Sequence, residues 1–156
     1  AGRVVKQKRH DLLFQALVQT PDIKLVLLCK YVEKARKLAR KYGVEDRIIT
    51  PGFQTNPYNW IANAELLVSS SDFEGLPTTL IDSLICGTPV VATNCDYGPS
   101  EILTGHLSKC LVPVGDADSL AAKINQCLKS KVEIGLPQII EKVSLENVVN
   151  SYLKLI

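Results

Sequence analysis

Short apolar runs alternate along the chain with longer segments whose apolar residues recur at helical spacing. The runs are rich in β-branched residues and show little polar alternation, as expected for parallel strands that helices cover on both faces. They predict five strands, at residues 24–29, 47–50, 65–70, 89–93 and 110–114. The other segments predict helices at residues 9–19, 31–42, 58–64, 77–86 and 118–130. This alternation is typical of an α/β fold built on a parallel sheet.

A further helical segment follows the turn at residues 135–137. Its apolar positions form one stripe: Ile139, Ile140, Val143, Val148, Val149, Tyr152, Leu153 and Ile156. The stripe packs either on this sheet or on another domain. The sequence contains no internal repeat and no flexible linker, and 156 residues suit a single hydrophobic core.

Composition and charge exclude several classes of protein. With 46% hydrophobic and 22% charged residues, the chain has the composition of a soluble globular domain, and its apolar runs are too short to span a bilayer. A net charge of +2 argues against a nucleic-acid-binding protein. The charge is uneven, however, at +7 for residues 1–50 and −5 for residues 51–156. Much of the positive charge lies at residues 30–41, where helical spacing favours a solvated face over contact with an anionic membrane.

Cysteine and histidine usage indicates a reduced protein without a structural metal. The five cysteines are odd in number, lack a C-x-x-C spacing and lie mostly in apolar stretches: Cys29, Cys86, Cys95, Cys110 and Cys127. We expect free thiols and a cytoplasmic location. His10 and His106 have no ligand-type neighbours at zinc spacing.

Ligands of open α/β sheets bind outside the carboxyl ends of the strands, so the candidate site residues lie in the segments there. The first such segment places Gly2, Arg3 and Lys8 before the first helix, where cationic side chains and a helix start suit a diphosphate. A solvated basic loop is the alternative interpretation. The second segment passes from a strand through Glu74 and Gly75 into a helix near Pro77.

This second segment combines carboxylates with free backbone N–H groups. The amides and hydroxyls of Thr78 and Thr79 lie at the helix start, which suits phosphate. Glu74 and Asp82 can accept hydrogen bonds from sugar hydroxyls, although ordinary surface carboxylates are the alternative. A third segment, residues 93–103, contains a Gly98-Pro99 turn that would present backbone groups to the same crevice.

In this order the three segments resemble the carboxyl-terminal, donor-binding domain of the GT-B glycosyltransferases, specifically the retaining family 4 enzymes. The resemblance covers essentially the whole chain and rests on Gly2-Arg3 with Lys8, on residues 73–82 and on residues 86–93. Residues 95–103 look most like bacterial enzymes that make polysaccharide, lipopolysaccharide or protein-linked glycans. The resemblance implies a Rossmann-like parallel sheet flanked by helices, forming one half of a two-domain architecture.

The resemblance also implies roles for individual residues. Arg3 and Lys8 would hold the nucleotide diphosphate without an obligatory metal, and Glu74 would contact the transferred sugar and stabilise positive charge at its anomeric carbon. The remaining donor contacts would come from Gly75, Leu76, Thr78 and Thr79 at the phosphates, and from Thr50, Pro51, Gly52 and Phe53 at the base.

Two positions depart from the family pattern. Asp82 stands where the second acid of the E-x7-E motif binds ribose, and it is one methylene shorter than the usual Glu. Arg9 stands where many members have Gly, and it either adds charge or only alters the loop.

The implied activity is transfer of a hexose or N-acetylhexosamine from a nucleotide diphosphate sugar, with UDP the expected nucleotide, to a glycan, lipid-linked or polysaccharide acceptor. No cofactor is expected. Residues 1–156 would be the donor half, inactive alone, and a separate amino-terminal domain of the same chain would bind the acceptor. We expect a cytoplasmic enzyme, with peripheral contact at the inner membrane face as an option. The alternatives are a non-catalytic interaction module of the same fold and a nucleotide-sugar epimerase.

Overall fold

A computed structural model describes residues 2–130, 134, 140–141 and 143–153. The strands are β1 (Leu25–Val26), β2 (Ile48–Ile49), β3 (Leu67–Ser69), β4 (Val90–Thr93) and β5 (Leu111–Val112). The helices are α1 (His10–Val18), α2 (Val32–Lys41), α3 (Tyr58–Ala62), α4 (Thr78–Ile85), α5 (Pro99–Ile102), α6 (Ala117–Lys129) and α7 (Leu145–Leu153). Each of the five predicted strands and five predicted helices is present. All lie inside their expected ranges except α6, which begins one residue earlier, and the strands are up to four residues shorter than predicted.

All strand pairs are parallel, so the predicted α/β fold with flanking helices is confirmed. The strands form two separately hydrogen-bonded units. We call them the two-stranded half-sheet (β1, β2) and the three-stranded half-sheet (β3, β4, β5). Full coverage of every strand was expected and is correct for β4, whose four residues are all buried. It is wrong for the other four strands, each of which keeps at least one partly exposed or exposed residue, because each lies at an edge of its half-sheet.

The hydrophobic core is divided in the same way. One cluster surrounds β4 and contains Leu80, Val91 and Leu120. A second cluster joins α1, α2 and β1 through apolar residues that include Phe14 and Leu27. Ile23 and Val68 pack against both clusters. The two parts of the core therefore share these two partly buried side chains.

Local sequence explains two of the helices that frame the sheet. In α2 only Ala35 and Ala39 are buried, so the basic residues form the solvated face that their spacing indicated. α6 begins after Asp116, whose carboxylate accepts hydrogen bonds from the amide (2.9 Å) and hydroxyl (2.6 Å) of Ser119.

The carboxyl-terminal stripe is only partly packed. Ile140 and Val143 lie against the core around β4, whereas Val149 and Leu153 of α7 are exposed. The stripe positions Ile139 and Ile156 lie outside the described residues. All five cysteines are free thiols, as their spacing indicated. Among the described residues, no helix has both the length and the apolar character needed to cross a membrane.

Candidate functional site

Residues 2–9 cross the carboxyl edges of both half-sheets. The amide of Gly2 donates a hydrogen bond to the carbonyl of Leu28 beyond β1 (2.9 Å), and the amide of Asp72 beyond β3 donates to the carbonyl of Gln7 (2.9 Å). The hydroxyl of Ser70 donates to the carbonyl of Lys8 (2.9 Å). The structure therefore brings the first and second candidate segments together at the edge where parallel strands end.

Lys8 and Glu74 form the centre of this arrangement. The ammonium nitrogen of Lys8 lies 2.5 Å from Oε1 of Glu74, and the hydroxyl of Ser71 donates to the same oxygen at 2.6 Å. The hydroxyl of Thr93, at the end of β4, donates to the carbonyl of Ser71 (2.6 Å). Only 9% of the Glu74 side chain is exposed. The carboxylate is thus ionically paired and fixed in position, and within residues 2–130 its Oε2 receives no hydrogen bond.

Cys95 is a neighbour of Glu74 that the sequence interpretation treated only as a small apolar residue. Its thiol is buried, and burial, followed by the negative charge of Glu74, raises its pKa. Ser71 likewise had no assigned role. The position of each residue in the sequence could have identified it as a site residue. Ser71 lies two residues beyond β3 and Cys95 two residues beyond β4, at the ligand-binding edge of the sheet.

The backbone conformation of Arg9 accounts for the glycine that many members of the family have at this position. Its φ of 45° and ψ of 50° are left-handed, a conformation that glycine adopts without steric strain. Its guanidinium pairs with Asp11 (3.1 Å) and with Asp72 (2.7 Å), and these bonds raise its pKa. Arg9 therefore keeps the loop conformation of a glycine, and its charge is balanced by two carboxylates.

The start of α4 presents unpaired backbone donors. Pro77 precedes the helix, and Thr78 and Thr79 occupy its first turn, where amides lack intrahelical partners. Neither threonine hydroxyl forms a hydrogen bond within the part of the chain described. Asp82 lies one turn further along, on the helix face of Thr78. Burial raises the pKa of Asp82, and its carboxylate has no ionic or hydrogen-bonding partner among the described residues.

The third segment packs directly on the second. Gly98 has a φ of 87°, and a Cβ placed there would lie 2.1 Å from the carbonyl oxygen of Gly75 and 2.4 Å from Cδ of Pro77. The turn before α5 can therefore approach the Glu74 loop only because residue 98 is glycine. Gly75 and the adjacent Leu76 are exposed at this junction.

Other expected site residues form no hydrogen bond or ion pair with Lys8 or Glu74 among the described residues. Arg3 is exposed, and its side chain forms no hydrogen bond or ion pair among residues 2–130. Thr50 accepts a hydrogen bond from Arg36 (3.1 Å), and the carbonyl of Pro51 accepts one from Gln54 (3.0 Å). Phe53 is 72% exposed. The loop formed by Thr50, Pro51, Gly52 and Phe53 directly follows β2, so it lies at the carboxyl end of the two-stranded half-sheet.

Comparisons with known proteins agree with this fold. Residues 1–142 match the family model "Glycosyl transferases group 1". The chain is 35% identical over 122 residues to N-acetylgalactosamine-N,N'-diacetylbacillosaminyl-diphospho-undecaprenol 4-alpha-N-acetylgalactosaminyltransferase of Campylobacter jejuni, covering 76% of this chain and 33% of the relative. It is 29% identical over 163 residues to the lipopolysaccharide core biosynthesis glycosyltransferase LpsE of Rhizobium meliloti, covering 99% and 48%.

A solved structure has the same fold as this chain. The chain superimposes with a TM-score of 0.84 on a mutant of Staphylococcus aureus TarM in complex with fondaparinux, alpha-GlcNAc-glycerol and UDP, at 29% identity, covering 99% of this chain and 34% of TarM. The chain spans between a third and a half of the length of the curated relatives named above. The fold is that of one domain of a GT-B glycosyltransferase. Since the family model matches most of its length, the chain belongs to the group 1 glycosyl transferase family.

Proposed function

We propose that this chain is the donor-binding half of a retaining, family 4 glycosyltransferase whose donor is a UDP-hexose or UDP-N-acetylhexosamine. The observation that carries the proposal is the Lys8–Glu74 pair, which joins a cation suited to phosphate and a carboxylate suited to sugar at the carboxyl edge of the sheet. TarM, with which the chain shares 29% identity, was solved with UDP, and the Campylobacter relative is named for N-acetylgalactosaminyl transfer.

In this proposal the diphosphate is bound by cations and by backbone amides. Lys8 has three N–H donors, so it can retain Glu74 and also reach a phosphate oxygen, while Arg3 closes over the ligand from solvent. The free amides of Thr78 and Thr79 at the positive end of α4, with Gly75 and Leu76 before them, receive the other phosphate oxygens. Charge on the departing nucleotide is thereby balanced without an obligatory metal or cofactor.

Glu74 then acts on the sugar. With Oε1 held by Lys8 and Ser71, Oε2 is the oxygen that can meet a sugar hydroxyl or the developing positive charge at the anomeric carbon. Asp82, unpaired on the Thr78 face of α4, contacts the ribose. The loop from Thr50 to Phe53 lines the base.

The rest of the enzyme is also part of the proposal. An amino-terminal domain of the same chain supplies the binding site for a glycan or lipid-linked acceptor, in a cytoplasmic enzyme of polysaccharide or lipopolysaccharide synthesis. Residues 1–156 alone would bind donor weakly and transfer no sugar. The named functions of the relatives support this acceptor class.

Two measurements test the proposal. Calorimetry of the folded protein with UDP, UDP-sugars and GDP-sugars should detect binding of a UDP compound, and no binding at millimolar concentration would contradict it. In the full-length protein, Glu74→Gln should reduce transfer at least about 100-fold with little change in UDP affinity. The matched control is Glu65→Gln, which alters an exposed carboxylate before β3 and should leave transfer unchanged. Equal activity of both variants would refute the role of Glu74.

A further inference from the structure

Glu74 lies in the irregular loop between β3 and α4. No residue from 70 to 77 belongs to a helix or strand, and the neighbours Phe73, Gly75 and Leu76 are exposed. A carboxylate on such a loop can act on a substrate only if the rest of the fold fixes its position, because a displacement of about 1 Å can cost on the order of 100-fold in rate. The position of the Glu74 carboxylate therefore depends on its contacts with more rigid elements.

Two groups hold this carboxylate, and the donor would compete for one of them. The ammonium of Lys8 and the hydroxyl of Ser71 both donate to Oε1 of Glu74. Under the proposed function, on which this inference rests, Lys8 also binds a phosphate oxygen, so its attraction is shared once the donor is bound. The hydroxyl of Ser71 has a single proton, which its 2.6 Å bond to Glu74 already uses. Ser71 is therefore the contact that stays directed at Glu74 alone.

Ser71 is in turn held from the centre of the three-stranded half-sheet. The hydroxyl of Thr93 donates to the carbonyl of Ser71 at 2.6 Å, and each of these residues is only 1% exposed. Thr93 is the last residue of β4, which lies between β3 and β5. A buried β-branched side chain has few accessible rotamers, so the hydroxyl of Thr93 has a fixed position. The most enclosed strand of the fold is thus linked to Glu74 through two short hydrogen bonds.

We propose that Thr93 is a positioning residue for sugar transfer, which places the carboxylate of Glu74 by orienting Ser71. Without the Thr93 hydroxyl, the Ser71 peptide group shifts, the bond from Ser71 to Glu74 lengthens, and Oε2 loses its alignment with the sugar. The cations and amides proposed to bind the diphosphate are retained. The loss therefore falls on kcat, with little change in KM for the donor.

Thr88 provides a matched control at the opposite end of the same strand. It is 2% exposed, and its hydroxyl donates to the carbonyl of Ile61 at 2.7 Å. It lies two residues before β4, at the amino edge of the sheet, whereas Glu74 lies at the carboxyl edge. Valine at either position removes a buried hydroxyl and keeps nearly the same side-chain shape. An effect on folding is then common to both variants, and an effect through Glu74 is confined to Thr93→Val.

Steady-state kinetics of the full-length protein test the proposal. Release of UDP from a panel of UDP-hexoses and UDP-N-acetylhexosamines, with water or a glycan as acceptor, measures kcat and KM for the donor. Thr93→Val should lower kcat about 10-fold and leave KM within about 2-fold, whereas Thr93→Ser, which keeps the hydroxyl, and Thr88→Val should both stay within about 3-fold of the wild type. Thr93→Ala replaces Thr93→Val if the latter does not fold. Equal kcat values for Thr93→Val and Thr88→Val would overturn the proposal.

A double variant tests whether Thr93 acts through Ser71. Ser71→Ala should lower kcat at least as much as Thr93→Val does. The double variant should lose no more than Ser71→Ala alone, because residues that act through one another have non-additive effects. Losses that multiply would show that Thr93 acts by another route and would reject the proposal.

Crystal structures of the full-length variants without nucleotide distinguish this inference from the proposed function. In Thr93→Val the distance between the Ser71 hydroxyl and Oε1 of Glu74 should exceed about 3.5 Å, whereas in Thr88→Val it should remain near 2.6 Å. An unchanged distance in Thr93→Val would overturn the inference whether or not the protein transfers sugar. A lengthened distance in a protein that releases no UDP would contradict the proposed function and support the placement of Glu74 by Thr93.

Discussion

Lys8 and Glu74 are 66 residues apart in sequence, and their charged groups lie 2.5 Å apart at the carboxyl edge of the sheet. A residue suited to phosphate and a residue suited to sugar are therefore held in one unit before any ligand binds. Only 9% of the Glu74 side chain is exposed, so removing Lys8 would leave a nearly buried carboxylate without its ionic partner.

Lys8→Ala should weaken UDP binding about 10- to 100-fold, because a charge-assisted hydrogen bond to phosphate contributes on the order of 1–3 kcal/mol. Calorimetry on samples that retain wild-type circular dichroism measures this. Lys6→Ala is the control, since Lys6 is an exposed cation in the same loop with no partner in the site. Similar losses in both variants would indicate a general charge effect and would contradict a specific role for Lys8.

Replacing Arg9 should show that the left-handed backbone conformation of this residue, and not only its charge, affects the free energy of unfolding. Arg9→Gly and Arg9→Ala both remove the ion pairs with Asp11 and Asp72, but only glycine relieves the left-handed φ of 45°. We expect the glycine variant to be more stable by about 1 kcal/mol in urea unfolding. At Arg36, inside α2, the order should reverse because glycine is about 1 kcal/mol less favourable than alanine in a helix.

Gly98→Ala should be severely destabilising. Its Cβ would lie 2.1 Å from the Gly75 carbonyl oxygen, at a φ of 87°, so backbone must move in a loop next to the site. We expect a loss of about 2–5 kcal/mol in unfolding free energy. Gly115→Ala is the comparison, because residue 115 has a φ of 80° but open space around it, and about 1 kcal/mol is expected. Equal losses would show that the contact with Gly75 is unimportant.

His10 should make the protein less stable in mild acid. Burial lowers its pKa from 6.5 to about 4, and the positive charges of Lys8 and Lys34 add to this while Asp11 opposes it. As pH falls from 6.5 towards 4, the unfolded chain binds a proton that the folded chain does not, so stability decreases over that range. We expect a loss from this group of about 2 kcal/mol between pH 7 and pH 5.

Urea unfolding at both pH values, compared with His10→Phe, isolates that contribution because the variant cannot titrate at this position. A pH dependence that is the same in the wild-type protein and the variant would contradict the assignment to His10.

The apolar pattern was sufficient to predict the order and type of the strands and of every helix except α5. The rule that parallel strands end at one edge predicted that the segments of Lys8 and Glu74 lie at the same edge of the sheet. The apolar pattern could not predict that β1 and β3 are separated. The residues of a strand show the same apolar run whether or not another strand lies beside it. The ion pair of Arg9 with Asp72 was also hidden, since it joins two segments that lie 63 residues apart in the sequence. The proximity of Cys95 to Glu74 depends on packing between loops, which spacing does not encode.

Residues 2–9 touch both half-sheets, and this has a thermodynamic consequence. Under the proposed function, a nucleotide held by Lys8 and the start of α4 binds only when the two half-sheets are correctly placed. Such a ligand stabilises the folded state by mass action, by about 2.7 kcal/mol at a concentration 100 times its Kd. The melting temperature of the protein would then report how much of its donor is present.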